Sequence, residues 1–560
     1  MTSAAQPVKP ILDYIYDHEA THPDAIYLTQ PTGGGQVIDY TWRQVLDQAR
    51  RMATHLRDRG LGNGDRVAIL SKNCAHFFMA ELAVWMAGCT TVAIFPTERA
   101  ETVQFVLEHS EAKLLFVGKL DTWEQQRPGV AAGMPRIAFP LSPNDADCGE
   151  KWDDIAARTQ PMAGRPARAA DDLAMLIYTS GSTGQPKGAM HSFGHISAVG
   201  AASLKAVDVS GADRYLSYLP LAHVFERGVV ECATFVSGAR VFFAESLDTF
   251  IADLRRARPT VFHSVPRLWL KFQHGVFAKM PPKKLDFLLS IPILGKIVGR
   301  KVLDGLGLDQ VRIALSGSAP IPAELITWYR RLGLNLLEGY AMTEDFAYSH
   351  FSQEGKSAPG YVGMPMPGVE VKISEEGEVL IKSPGQMVGY YKRPDLNAEA
   401  FTDDGFFRTG DKGERRADGM LKITGRVKEQ FKTAKGKYVA PAPIENRLNN
   451  CPLIELSMVS GVGQSAAYAM VVLAEEQRKQ VGTPEARAHI ETELGKLLDD
   501  VNAELPDYEH LRMLVIAPEP WSIENGFLTP TMKIKRSRIE SVVGEKLNGW
   551  YEAKGKVLWG

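Results

Sequence analysis

Leu173–Gly188 reads LAMLIYTSGSTGQPKG. Its first six residues form a short, bounded apolar run of the length of a buried strand. From Tyr178 on, three glycines, four Ser/Thr hydroxyls and a lysine crowd into eleven positions. Small residues let backbone N–H groups approach a ligand closely, while hydroxyls and a lysine add donors and positive charge. A strand running into such a loop is an anion site, with phosphate as the first choice. It is not a Walker A loop, in which Ser or Thr directly follows Gly-Lys. Here Pro186 separates Lys187 from the glycine run and Gly188 follows it.

The residues around this loop repeat a strand–helix rhythm. Thr41–Arg59 carries apolar residues at helical spacing and stops at Gly60; Asp65–Leu70 and Thr91–Phe95 are apolar strands with helical Phe77–Ala87 between them. Lys113–Val117, Val241–Phe243 and Val311–Ser316 repeat the unit, which is the βαβ pattern of a parallel sheet. After about residue 360 the texture changes to short strands punctuated by Gly, Asp and Lys, as in VEVKISEEGEVLIKS (369–383), where SEEGE is a hairpin signal. A smaller α/β region follows, with amphipathic Pro484–Leu505 as its clearest helix. The fold class is α/β: a large N-terminal domain (1–425) of parallel-type α/β subdomains plus a β-rich subdomain, then a small mobile α+β C-terminal domain (426–560). The boundary falls at Gly425–Lys428, where glycine and charge at a strand end suit a hinge.

With 560 residues the chain needs more than one core, and 45% hydrophobic with 23% charged residues is the profile of a soluble globular protein. A net charge of −2 gives no basic field for nucleic acid. Five scattered cysteines without a CxxC argue against a disulfide framework and a structural zinc site and fit a reducing cytoplasm. The first twenty residues do not have the pattern of a secretory signal. The most apolar segment, Phe287–Gly299 (FLLSIPILGKIVG), is too short to span a bilayer and carries Pro292 and Lys296. It is expected to be a core or groove-lining helix, with a shallow membrane contact as the alternative.

Five further stretches stand in series with the opening loop: EGYAMTE (Glu338–Glu344), FRTGD (Phe407–Asp411), TGRVKE (Thr424–Glu429), KGKYVAP (Lys435–Pro441) and LTPTMKIKR (Leu528–Arg536). In this order, and over about residues 40–540, they resemble the motif series of the adenylate-forming superfamily, which includes acyl-CoA synthetases, luciferases and peptide-synthetase adenylation domains. The resemblance implies a two-step reaction. A carboxylate attacks the α-phosphate of ATP, giving acyl-adenylate and pyrophosphate; a thiol, usually that of coenzyme A, then takes the acyl group and releases AMP. Carboxylate is a poor electrophile, and the mixed anhydride supplies the missing leaving group. Such a site gathers many negative charges, so catalysis rests on neutralising and positioning them.

What the resemblance implies for individual residues is specific. Thr179, Ser180, Ser182 and Thr183 would donate hydroxyls to the β- and γ-phosphates, Gly181 and Gly184 backbone, and Lys187 charge. Glu344, with Thr183, would hold Mg²⁺, a hard cation that prefers oxygen ligands. Thr343 would bond the α-phosphate and Tyr340 stack on adenine, beside Glu338, Gly339 and a shelf formed by Ser318, Ala319 and Pro320. Asp411 would accept from the ribose hydroxyls, with Arg426 in support. Lys533 would be the lysine that reaches the α-phosphate and the attacking carboxylate; Lys535, two residues on, is the competing choice. Lys428 falls at the family's hinge. Rotation there would withdraw Lys533 and present Gly436, Lys437 and Tyr438 beside a pantetheine tunnel.

LPLAHVFER (Leu219–Arg227), VPRLW (Val265–Trp269) and FKTAKGKYVAPAPIE (431–445) resemble long-chain acyl-CoA synthetases more than acetate or aryl-acid enzymes. They place His223 near the acyl carbonyl and Trp269 near a fatty-acid channel, and imply a medium- or long-chain acid as substrate. Two other readings stay open: an acyl-AMP ligase that passes the acyl group to a separate carrier protein, and an inactive nucleotide-binding regulator. The presence together of Lys187, Thr343, Glu344, Asp411 and Lys533 speaks against the regulator. A cytoplasmic protein is expected, with membrane association as an addition, as a monomer or homodimer.

Overall fold

A computed structural model describes residues 8–144, 146–180, 185–353, 355–529 and 532–560; of Ser180 only the backbone is described. Gly181, Ser182, Thr183 and Gly184 lie outside the described residues.

The strand Leu173–Ser180 is central to an eight-stranded sheet. On one side it pairs in parallel with Thr90–Ile94, which leads on through Arg66–Leu70, Ala112–Val117, Arg136–Ala138 and Glu150–Lys151. On the other it pairs antiparallel with Pro186–Ser192, so the glycine loop joins two neighbouring strands of one sheet, with Thr179 opposite Lys187. Gly389–Tyr390 closes that edge.

A second sheet runs parallel through Val261–Ser264, Ile313–Ser316 and Leu336–Tyr340, then antiparallel through His350–Phe351 and Met364–Pro365. A third joins Arg214–Ser217 and Arg240–Phe243 to the hairpin Ile26–Gly33/Gln36–Thr41. A fourth is antiparallel: Glu370–Ile373, Glu378–Lys382, Phe407–Arg415 and Leu421–Arg426. The smaller C-terminal domain has its own mixed sheet of Ile454–Ser460, Ala467–Leu473, Leu511–Ile516 and Val557–Trp559, covered by helix Pro484–Ala503. The α/β architecture, with a large N-terminal and a smaller C-terminal domain, is therefore as the sequence implies.

Local chemistry explains the elements that frame the site. Helix Trp42–Asp58 begins where the Thr41 hydroxyl accepts from Gln44 N–H while the Gln44 side chain accepts from Thr41 N–H. Helix Ala75–Ala87 is apolar on every side and wholly buried, as a helix must be when it touches strands of both the first and the third sheets. One ionic cluster interrupts that core. Arg227, fully buried, pairs with Glu81 at 2.9 Å and Glu231 at 3.4 Å, and its Nε donates to Leu221 C=O. Arg227–Cys232 winds as a single π-helical turn. Burial pushes both carboxyls upward against the pull of the one guanidinium.

Phe287–Gly299 departs from expectation. It is not one core helix but the meeting of two, Pro282–Ser290 and Pro292–Leu306, and its apolar residues Phe287, Ile293 and Ile297 are exposed. Pro292 has no N–H to continue the first helix, so it starts the second.

Candidate active site

The carboxyl ends of the parallel strands of both large sheets open into one cleft of about 2620 Å³, roofed by the C-terminal domain. Ligands of open α/β sheets bind at this edge. Thr179 and Lys187 reach it from the first sheet, and the Lys187 ammonium stands 5.2 Å from the centre of the Tyr390 ring.

EGYAMTE forms the end of strand Leu336–Tyr340 and the turn beyond it. Asp345, just past the motif, is buried and accepts from Met342 N–H and Tyr348 N–H, which fixes the turn; burial raises its carboxyl to about 8. His191, buried and neutral, donates to Thr343 C=O at 2.8 Å. Glu344 C=O accepts from Met387 N–H, and Glu344 Oε1 accepts from the Tyr390 hydroxyl at 2.6 Å. The Glu344 carboxylate thus faces the cleft with its orientation fixed from behind. Among the described residues this is one oriented hard oxygen donor, which suits Mg²⁺ that takes most of its ligands from elsewhere. Among the described residues no group of three or more His, Cys, Asp or Glu could hold a metal by itself.

The corner formed by Tyr340, Asp411 and Arg426 is equally ordered. The Tyr340 hydroxyl donates to Asp411 Oδ2 at 2.6 Å, and Arg426 Nε pairs with Asp411 Oδ1 at 3.0 Å. Asp411 sits opposite Arg426 in the fourth sheet's ladder, so sheet register makes this pair. Ser318, Ala319 and Pro320 edge the cleft across from Gly339, and Ser318 holds a left-handed φ of 68°. Glu338 is buried, receives one backbone N–H, that of Ile321, and burial raises its carboxyl to about 8. Its Oε2 has no hydrogen-bond partner among the described residues.

His223 lies where the polar cleft turns apolar. Its Nδ1 accepts from Phe225 N–H, which leaves Nε2 to carry the proton as a donor. Burial first, then nearby Lys533, lowers its pKa to about 3, so it stays neutral. Beyond it the cleft continues between Val199, Leu204, Val207, Gly228 and Val229, the last two on the π-helical turn.

Lys533 enters from the C-terminal domain. Its backbone closes a tight loop with Thr529, and Arg536 anchors the following helix to Val459 C=O and Glu445. The Lys533 side chain is exposed and opens into the cleft. Desolvation by the cleft walls, with Arg426, depresses its pKa, while Asp411, Glu344 and Glu429 pull it back up. Lys535 instead faces Glu98 of the large domain. Arg99 donates to Ile523 C=O at 3.1 Å, and Arg267 pairs with Glu455, across the same junction.

The structure thus gathers Thr179, Lys187, His223, Ser318, Glu338, Tyr340, Thr343, Glu344, Asp411, Arg426 and Lys533 around one cleft. Lys428 lines it too, on the turn Val427–Glu429. Gly436 and Lys437 are not at the cleft; they turn the ribbon Phe431–Lys432/Tyr438–Val439, with Gly436 at φ 77°, whereas Tyr438 reaches the opening together with Phe431 and Lys432. Trp269 is a correction. It packs in a buried cluster with Phe262, Phe272 and Tyr329, one helical step away from Pro266 and Leu270, which do line the cleft. Tyr390, which sequence reasoning missed, lies in a two-residue edge strand with no motif around it.

Comparison with known proteins agrees with this architecture. The profile of the AMP-binding enzyme family matches residues 15–391, and that of the AMP-binding enzyme C-terminal domain matches 428–555. A long-chain-fatty-acid–CoA ligase of Mycobacterium bovis is 31% identical over 96% of this chain and 96% of its own. Long-chain-fatty-acid–CoA ligase 1 of Cavia porcellus is 29% identical over 91% of this chain and 82% of its own. Among solved structures, the A domain of a carboxylic acid reductase from Segniliparus rugosus, in complex with AMP and a carboxylic acid, superposes with a TM-score of 0.80 at 23% identity, covering 98% of this chain and 95% of that one. The o-succinylbenzoate CoA synthetase of Bacillus subtilis, holding its acyl-adenylate, does so with a TM-score of 0.73 at 20% identity, covering 95% and 98%.

Proposed function

Because the chain belongs to the AMP-binding enzyme family, we propose that it is an ATP-dependent acyl-CoA ligase acting on a medium- or long-chain fatty acid through acyl-AMP. The observation that carries this reading is the continuity of one cleft from the Asp411–Tyr340–Arg426 corner, past Glu344 and Lys533, into the apolar pocket behind His223. Relatives named as long-chain-fatty-acid–CoA ligases along nearly the full length support the acid class.

In the first step the acyl carboxylate attacks the α-phosphorus in line with departing pyrophosphate. The Lys533 ammonium, set among Glu344, Asp411 and Arg426, neutralises charge on the α-phosphate and attacking oxygen as it builds. His223 Nε2–H orients the carboxylate without changing protonation state, since its pKa of about 3 lies far below neutral. Glu344 would hold Mg²⁺, which when bound neutralises the phosphates and helps pyrophosphate leave. Asp411 accepts from the ribose diol while Tyr340 and Arg426 keep both its oxygens aligned. The present arrangement, with Lys533 in and Gly436 out, is the adenylating one. The thiol step requires the C-terminal domain to turn about Lys428 and bring Gly436, Lys437 and Tyr438 to the acyl-adenylate. An apolar pocket gains about 0.8 kcal/mol per buried CH₂, so its depth discriminates strongly among chain lengths.

The test is pyrophosphate release against acids from acetate to oleate and benzoate, with and without coenzyme A. Release with the longer acids and coenzyme A-dependent turnover is the expected result. A single stoichiometric burst unaffected by coenzyme A overturns the acceptor, and no release with any acid overturns the ligase.

A further inference from the structure

We propose that the helical pair Pro282–Ser290 and Pro292–Leu306 is a docking surface for anionic lipid membranes. Close packing leaves its outer face no choice of direction. A Cβ at Gly295 would stand 2.5 Å from Leu289 C=O, and one at Gly299 2.5 Å from Leu332 C=O. Those two glycines therefore press the second helix onto the first and onto helix Ala323–Leu332, and Leu285 and Leu303 sink into the underlying core. Positions on the opposite side must face outward. They are Ile293, Leu294 and Ile297, with Phe287 from the first helix beside them; Ile293 is 79% exposed and Phe287 66%.

A soluble surface does not ordinarily collect side chains of this size on one helical turn. The charges around them are equally one-sided. Lys283, Lys284, Lys296, Arg300 and Lys301 are all exposed, and among the described residues none has an ion-pair partner. The acid between them, Asp286, is taken by Arg331 at 2.7 Å. In a chain of net charge −2 this is a local excess of cations around an apolar tip. Large aliphatic and aromatic groups ringed by Lys and Arg is the composition that enters the headgroup boundary of a bilayer carrying negative lipids. Among the described residues no helix is long and apolar enough to cross a membrane, so the contact lies on the surface. The inference goes beyond the ligase reading and does not depend on it.

The test is flotation of the full chain with vesicles of phosphatidylcholine alone or mixed with phosphatidylglycerol. The wild type is expected to float with the mixed vesicles, less as salt rises, and not with phosphatidylcholine alone. Ile293→Glu with Ile297→Glu should weaken binding at least about ten-fold. Lys296→Glu, Arg300→Glu and Lys301→Glu together should weaken it about a hundred-fold. Both variants should keep the wild-type circular-dichroism spectrum and melting temperature, which establishes that they fold. The proposal is overturned if the wild type does not float, if the folded variants float as well as it does, or if sedimentation shows instead a dimer that Ile293→Glu with Ile297→Glu breaks.

Discussion

The Tyr390 hydroxyl donates to Glu344 Oε1 across 2.6 Å, joining an edge strand to the acid that faces the cleft. Hydrogen bonds to a charged group are worth about 1.5–3 kcal/mol. Tyr390→Phe keeps the ring beside Lys187 and removes only this bond. Adenylation should slow about ten-fold, with more Mg²⁺ needed for half-maximal rate. A magnesium titration of pyrophosphate release reads both effects, and an unchanged curve would remove Tyr390 from the site.

Lys533 and Lys535 part company in the structure, one toward Glu344 and Asp411, the other toward Glu98. Lys533→Ala should reduce adenylate formation by about a hundred-fold or more, in the range of losing a preorganised transition-state donor. Thioester formation from preformed acyl-AMP should survive. Lys535→Ala should cost either half-reaction less than about ten-fold, as expected of an exposed lysine that acts on Glu98 only through its charge. Equal losses in the two half-reactions of Lys533→Ala would contradict its assignment.

Gly436→Leu should do the reverse, since Gly436 stands away from the cleft in this arrangement. Pyrophosphate release should persist while transfer to coenzyme A fails. At φ 77° any side chain except Asn or Asp is strained, so Gly436→Asn is the control: it keeps the turn and should keep more of the thiol step. Single-turnover assays of each half-reaction decide.

Glu338 gives a prediction in pH. Its folded pKa of about 8 lies above the ordinary 4.5, so the folded chain keeps a proton that the unfolded chain releases between those values. Stability therefore falls as pH rises through this window, by up to about 5 kcal/mol for the whole shift. Glu338→Gln carries no such proton. Apart from a pH-independent offset, its melting temperature should gain on the wild type from about pH 5 to about pH 8 and run parallel above. A constant gap across that range would show that Glu338 is ionised in the fold.

Much of this was legible before any coordinates. Apolar strands ending in Gly-, Ser- and acid-rich loops announce parallel sheets with a ligand edge, because burial and loop chemistry are both local properties of sequence. What depends on register was not. Nothing near Gly389–Tyr390 signals that this short strand reaches Glu344, because sheet pairing alone brings them together. The hairpin Ile26–Thr41 was passed over although Gly33-Gly34-Gly35 marks its turn. Trp269 and Phe287–Gly299 failed for the opposite reason: apolar character was read as function or core, whereas helical phase turned Trp269 inward and close-packed glycines turned Ile293 outward.

The π-helical turn Arg227–Cys232 puts two kinds of constraint on neighbouring positions. Arg227 and Glu231 face a core in which one guanidinium lies between two carboxyls, so neither is exchanged alone without leaving a buried partner unpaired. Val229, between them, is half-buried and lines the pocket where an acyl chain would lie, whereas Gly228 also abuts Phe346 and Ala347. A lineage, or a protein engineer, is therefore free to alter chain preference through the middle of this segment while its flanks stay frozen, and substrate range becomes a trait that drifts without risking the fold.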